Sequence, residues 1–291
     1  MTRRYLHEIE GELWFKEAME EGIGHAARVD KVLFEGEIDH QHLVVFENAK
    51  YGRMFALNGI IQMTSSDEFV YHEMLTHVPL YAHGEAKRVL IIGGGDGGIL
   101  RETLRHKSVE SATLVEIEKD VIEFAKTWFP ETSNGAFDDP RTDIVIADGA
   151  KYVQETGDRF DVVIVDSTDP VGPGEVLFTE EFYAGCKRVL NTGGILVVQG
   201  GLPFLQPWEP KMIKERQANS FEYVEFYVAA IPTYTGGLMT LGFASDAQYP
   251  HDETWLARRI SKNPMEMRYY TPEVHEAAFA LPAYIRAAIE D

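Results

Sequence analysis

Acidic residues recur where apolar runs end in this chain, and one acid sits inside a glycine loop. Val89 to Ile92 is an apolar run that predicts a buried strand, and Gly93, Gly95 and Gly98 after it fit G-x-G-x-x-G. Such a turn brings backbone close to a nucleotide and opens a helix. In a dinucleotide site that helix start faces a pyrophosphate, which Asp96 would repel. A cationic ligand would be attracted instead. The loop therefore points to a nucleoside carrying positive charge, with a plain structural turn as the alternative for the glycines alone.

The next runs repeat the pattern. Ala112 to Val115 ends at Glu116, 18 residues past Gly98, where a carboxylate can accept both hydroxyls of a ribose. Asp143 to Ala147 leads to Asp148-Gly149, and Phe160 to Val165 leads to Asp166-Ser167-Thr168-Asp169. All should finish at the carboxyl edge of one parallel sheet, where open α/β folds bind ligands. A nicotinamide dehydrogenase accounts for Glu116 but not for Asp96. An S-adenosylmethionine methyltransferase accounts for Asp148 but leaves Asp166 and Asp169 unused. Two carboxylates three residues apart favour amines and offer a proton acceptor. A non-enzymatic nucleoside or polyamine binder is a further class, though binding alone needs no proton acceptor.

Positioning these acids requires an α/β fold. Residues 1–75 predict a small antiparallel β domain with hairpins, Asn58-Gly59 between two apolar runs being the strongest hairpin signal. Ser65 to Glu68 predicts a capping box for a helix ending near His77, before Pro79. Residues 76–291 predict a Rossmann-like, methyltransferase-type doubly wound sheet. Its helices are expected near 98–106, 119–128, 150–156, 180–190 and 210–220, with late strands near 223–230 and 238–244. The segment 171–178 predicts a glycine-hinged lid in which Val176, Leu177 and Phe178 cover the ligand.

Bulk properties narrow the classes. The 291 residues are 45% hydrophobic and 25% charged, with a formal net charge of −20, which disfavours a nucleic-acid partner. No run approaches the length of a membrane span and the N-terminus lacks a signal peptide, so a cytoplasmic protein without membrane attachment is expected. Cys186 is the sole cysteine, forms no internal disulfide and reads as core. His72 and His77 are spaced i, i+5 and do not share a helix face, so no zinc or other metal site is expected.

Taken in order, Asp39-His-Gln-His42, Asp67 to Glu73, Gly93 to Gly98, Asp148-Gly149, Asp166 to Gly174, Ile231 to Tyr234 and Tyr269-Tyr270 span nearly the whole chain. They resemble the polyamine aminopropyltransferase family, and within it the bacterial spermidine synthases. The resemblance implies transfer of an aminopropyl group from decarboxylated S-adenosylmethionine to putrescine, giving spermidine and methylthioadenosine. Cadaverine, agmatine and spermidine remain alternative acceptors. The donor is a co-substrate, no cofactor is implied, and a homodimer or homotetramer is. Asp166 matches the catalytic acid-base residue. Asp96 matches the ligand of the donor's ammonium, Glu116 that of the ribose, and Asp148 with Gly149 the adenine contacts. Gln41 and Pro173 match further donor contacts. Tyr71, His72, Ser167, Thr168, Asp169 and Tyr234, with Asp166, match the acceptor pocket.

Overall fold

The computed structural model describes residues 4–20, 22–38, 41–168, 170 and 172–290. They form two units, one of residues 1–68 with 231–235 and one of 69–230 with 236–291.

The first unit pairs β1 (Leu6–Ile9), β2 (Glu12–Glu20) and β3 (Ile23–Arg28) in one antiparallel sheet. A second sheet is the meander β4 (Lys31–Ile38), β5 (Gln41–Asn48), β6 (Gly52–Leu57) and β7 (Ile60–Thr64). Asn58 and Gly59 both take positive φ, 50° and 87°, as a two-residue hairpin turn with the strands' own twist requires. Phe15, Val44, Phe46, Met54 and Ile61 turn inward to form the core, with Phe15 stacked on Phe46 at 5.2 Å. The buried Glu17 carboxylate accepts the Ile61 N–H at 2.8 Å and so joins the two sheets. Residues 231–235 belong to this unit because buried Asp67 accepts both the Thr233 N–H (2.8 Å) and the Thr233 hydroxyl. The expected capping box does not form. Ser65 Oγ instead accepts the Arg53 N–H at 2.9 Å, and Asp67 also takes the Thr64 hydroxyl at 2.6 Å.

The boundary falls at residue 68 rather than 75 because helix α1 (Glu68–His83) bonds to the second unit. Glu73 accepts the backbone N–H groups of Arg268, Tyr269 and Tyr270, each at 2.8 Å, and the Met74 carbonyl accepts the Tyr227 hydroxyl at 3.1 Å. The helix also runs through Pro79 instead of stopping before it. Proline removes one helical hydrogen bond, but Val78, Leu80, Tyr81 and Ala82 are all buried, and that packing outweighs the loss.

The second unit holds β8 (Arg88–Gly93), β9 (Ser111–Glu116), β10 (Thr142–Ile146), β11 (Phe160–Asp166), β12 (Leu190–Gln199), β13 (Tyr223–Ala229) and β14 (Met239–Ser245). Their order is β10-β9-β8-β11-β12-β14-β13, parallel through β12, with β14 antiparallel to both neighbours. Between and after them lie α2 (Gly98–Leu104), α3 (Lys119–Trp128), α4 (Pro130–Ser133), α5 (Gly149–Glu155), α6 (Glu180–Val189) and α7 (Trp208–Ala218). Helices α8 (Glu253–Ile260), α9 (Pro272–Ala278) and α10 (Ala283–Glu290) close the chain. The apolar strands put Leu90, Val163 and Leu196 against Phe182, Ile213 and Ile285, side chains whose burial contributes roughly 1.5–3 kcal/mol each. Sequence reasoning missed β12, although Ile195 to Val198 is a continuous apolar run, and it missed the helices after residue 250. No helix among the described residues is long and apolar enough to cross a membrane.

Candidate active site

Strand order reverses between β8 and β11, and the crevice at such a reversal is where open α/β sheets bind ligands. The register sets Asp166 opposite Gly93, so the glycine loop and the last acid leave the sheet side by side. Gly93 takes a φ of 77°, and any side chain there would run into the Asp166 backbone carbonyl. A methyl on Gly98 would strike the His72 ring. The glycines thus serve first to let the site's own groups close on one another.

Helix α1 meets this edge broadside. The Tyr71 hydroxyl donates to Asp166 Oδ1 at 2.7 Å, while His72 Nε2 lies 3.4 Å from Asp96 Oδ2. The two rings are 5.7 Å apart, centroid to centroid. The other Asp96 oxygen, Oδ1, accepts the Gly98 N–H at 2.6 Å. His72, Asp96 and Asp166 each offer a ligand atom within 4.8 Å of the other two. Such a set suits a cation.

Charge crowding divides the two aspartates. Burial raises the Asp166 carboxyl, the Asp96 charge raises it further, and His72 and Tyr71 offset only part, leaving it pushed up to about 6. Burial also works against the Asp96 carboxylate, but His72, the Gly98 N–H and Arg101 together hold it below its ordinary value. One acid is thus a fixed anion and its neighbour a base that titrates near neutrality.

Glu116 ends β9, 7% exposed, and accepts the Glu118 N–H at 3.2 Å. Burial, with a smaller contribution from Asp166, pushes its carboxyl up to about 7 against the backbone N–H groups that favour the anion. Ile117 beside it is exposed, an apolar surface that sequence reasoning did not single out. Asp148 caps α5, its Oδ1 accepting from Ala150 (2.9 Å) and Lys151 (3.3 Å), and Gly149 opens that helix. Ser167 is half-buried and Thr168 exposed just past β11.

Asp169 lies outside the described residues. Pro173 falls in a 3-10 turn, Gly172–Phe178, with its side chain outside the described set. In that turn Val176 is exposed, but Phe178 is a core residue beside Phe182 rather than a cover for ligand. The rim is therefore anchored at its far end. Gln41 opens β5 in the first unit, where the Tyr234 hydroxyl also donates to the Gln62 carbonyl at 2.6 Å.

Behind the site, His77 bonds His106 at 2.9 Å through Nδ1 and Glu102 at 3.0 Å through Nε2, while His72 faces Asp96. The two imidazoles diverge, as their i, i+5 spacing implies. This buried network and the Glu73 clamp were not anticipated. The run of hydrophobic residues broken by Glu73 and His77 was the available signal.

A Rossmann-like sheet with Asp96, Glu116 and Asp166 gathered at its switch point has the acidic ligand-binding edge of an α/β enzyme. Residues 68–254 match the family described as spermine/spermidine synthase domain, and residues 13–65 match the spermidine synthase tetramerisation domain. A polyamine aminopropyltransferase of Pectobacterium carotovorum subsp. carotovorum is 51% identical over 282 residues, covering 96% of this chain and 98% of the relative. Polyamine aminopropyltransferase 1 of Pseudomonas aeruginosa is 52% identical over 278 residues, 94% of this chain and 97% of the relative. A crystal structure of spermidine synthase in complex with the transition state analogue AdoDATO superposes with a TM-score of 0.90 at 40% identity, covering 99% of this chain and 98% of that one. The chain belongs to the spermine/spermidine synthase family. It is an aminopropyltransferase, a transferase of alkyl groups other than methyl.

Proposed function

We propose that the chain transfers the aminopropyl group of decarboxylated S-adenosylmethionine to putrescine, releasing spermidine and methylthioadenosine. The observation that carries this reading is the pairing of Asp96, a fixed anion, with Asp166, a base held by Tyr71, at one sheet edge. Asp96 takes the donor's ammonium and Glu116 its ribose hydroxyls. Asp148 and Gly149 take the adenine, with Ile117 as an apolar face, and the family resemblance adds Pro173 and Gln41 to the donor's contacts. Tyr71, Ser167, Thr168 and Asp169 belong with the acceptor, the family resemblance adds Tyr234, and His72 is shared with the donor because its ring also faces Asp96.

The attacking amine is protonated at pH 7 and carries no free lone pair. Freeing it costs about 4.6 kcal/mol with lysine as a proxy. The donor's sulfonium, about 4 Å away, disfavours the ammonium by up to about 4 kcal/mol at an effective dielectric near 20. Asp166 accepts the proton, directly or through water. The amine then displaces the thioether in line, a C–N bond forming as the C–S bond breaks, and alignment supplies much of the rate. The cation held by the acids is organic in this reading, and neither a metal nor another cofactor takes part. The match to a tetramerisation domain and the AdoDATO complex of a relative support a homo-oligomer, dimer or tetramer, and a bisubstrate site. A cytoplasmic location is proposed with these substrates.

The test is methylthioadenosine release from decarboxylated S-adenosylmethionine with putrescine, cadaverine, agmatine, spermidine and butylamine. Putrescine should far exceed butylamine, which has the same carbon chain and one charge. Asp169→Asn should raise KM for putrescine and narrow the gap, since a charge-assisted contact of roughly 1.5–3 kcal/mol is weakened. Equal rates with butylamine and putrescine would rule out a pocket that reads a second charge.

A further inference from the structure

Asp96 has two oxygens, and the structure commits them differently. Oδ1 accepts the Gly98 N–H at 2.6 Å, and we take Oδ2, without that backbone donor, as the oxygen for an incoming ammonium. Oδ2 is also the oxygen that His72 Nε2 approaches, at 3.4 Å, from a ring that is 2% exposed and packed against Gly98. An imidazole is the side chain that gains and loses its charge near neutral pH. We propose that His72 sets the charge of the donor pocket: its imidazolium stands on Asp96 in place of the ammonium, and donor binding expels that proton to solvent. The inference deepens the reading above and rests on it.

Two cations cannot share Asp96 without repulsion, and the buried ring cannot swing into water to avoid it. Groups from several elements lie around His72. Tyr71 comes from α1, Asp96 from the loop after β8, and Asp166 from the end of β11. Arg101, on α2, adds a fixed positive charge near Asp96, and Glu116, on β9, acts on Asp166 from the ribose side. Only His72 among them changes from neutral to cationic on protonation. Its charge opposes the ammonium-bearing donor and leaves methylthioadenosine, which has neither ammonium nor sulfonium, largely unaffected.

The measurement is the ratio of dissociation constants for decarboxylated S-adenosylmethionine and methylthioadenosine, at pH 8 and at pH 6, in the wild type and in His72→Gln. The amide can donate to Asp96 but does not titrate. Glu116 contacts the ribose of both ligands and cancels in the ratio, while Asp166 is present in both proteins. One linked proton weakens the donor by up to about tenfold per pH unit. The wild-type ratio should therefore rise steeply toward pH 6, and His72→Gln should remove most of the rise. Calorimetry at pH 6 in buffers of different ionisation enthalpy counts the protons released, and the same count in His72→Gln separates His72 from Asp166, whose own proton a cationic donor also displaces. Glu116 can lose a proton to either ligand, so the wild type should release close to one proton more with the donor than with methylthioadenosine, and His72→Gln should lose most of that excess. The same pH dependence in both proteins, or no proton release specific to the donor, would overturn the role of His72. No binding of decarboxylated S-adenosylmethionine at pH 8 would overturn the proposed donor itself.

Discussion

Burial and the neighbouring Asp96 anion push the Asp166 carboxyl up, and His72 and the Tyr71 phenol offset only part, leaving it at about 6. A base must be ionised to act. Because its value is raised, the active form is complete above that pH and is lost as pH falls through it. We expect kcat/KM, which reports groups of the free enzyme, to decline toward acid with a midpoint near 6. Asp166→Asn keeps the shape and removes the acceptor. It should lower kcat by roughly 10²–10⁴, erase that acidic limb and leave methylthioadenosine affinity nearly intact. Near-normal turnover in this variant would remove Asp166 as the base.

At the level of elements, α1 is held from behind. His77 on α1 meets Glu102 on α2, and Glu102 also binds Arg101 at 2.7 Å and pairs with Arg105. Burial alone would raise the Glu102 carboxyl, but His77 and Arg101 hold it far below its ordinary 4.5. Since the folded value is depressed, the stabilisation is complete above the unfolded value near 4.5 and is lost as acid carries the folded group through its own, lower value. Glu102→Ala leaves the half-buried Arg101 and Arg105 guanidiniums without their buried acid and should destabilise the fold by about 3 kcal/mol, read from urea denaturation at pH 7. Glu102→Gln, which keeps hydrogen bonds, should cost less. A loss below about 1 kcal/mol for Glu102→Ala would class the network with weak surface pairs. Because α1 also carries Tyr71 and His72, movement here is expected to reach the site.

For the whole molecule the prediction concerns assembly. Ile23 and Ile60, 49% and 41% exposed, lie in the segment that matches a tetramerisation domain. Large apolar side chains left at such a surface are what a subunit contact would cover. Replacing both by aspartate should shift the species seen in sedimentation velocity to a lower mass. An unchanged mass would place the association on another face.

Much of this protein could be read along the chain because the relevant signals are local. Apolar runs of β propensity gave β8, β9, β10 and β11, and Asn58-Gly59 marked its hairpin, since turn sterics act between adjacent residues. The order of acids at strand ends was equally legible, as every parallel strand must finish on the same edge. Tertiary structure alone decided the rest. Pro79 stays helical because its neighbours are buried, and Ser65 abandons its cap for a partner 12 residues earlier. Phe178 enters the core instead of covering ligand, and Ile231–Thr235 joins the first unit through Asp67. Above all, spacing could name His72 and Asp96 but not the oxygen on which they meet. That contact depends on how α1 packs against the glycine loop, and only the folded chain brings two such groups within 3.4 Å.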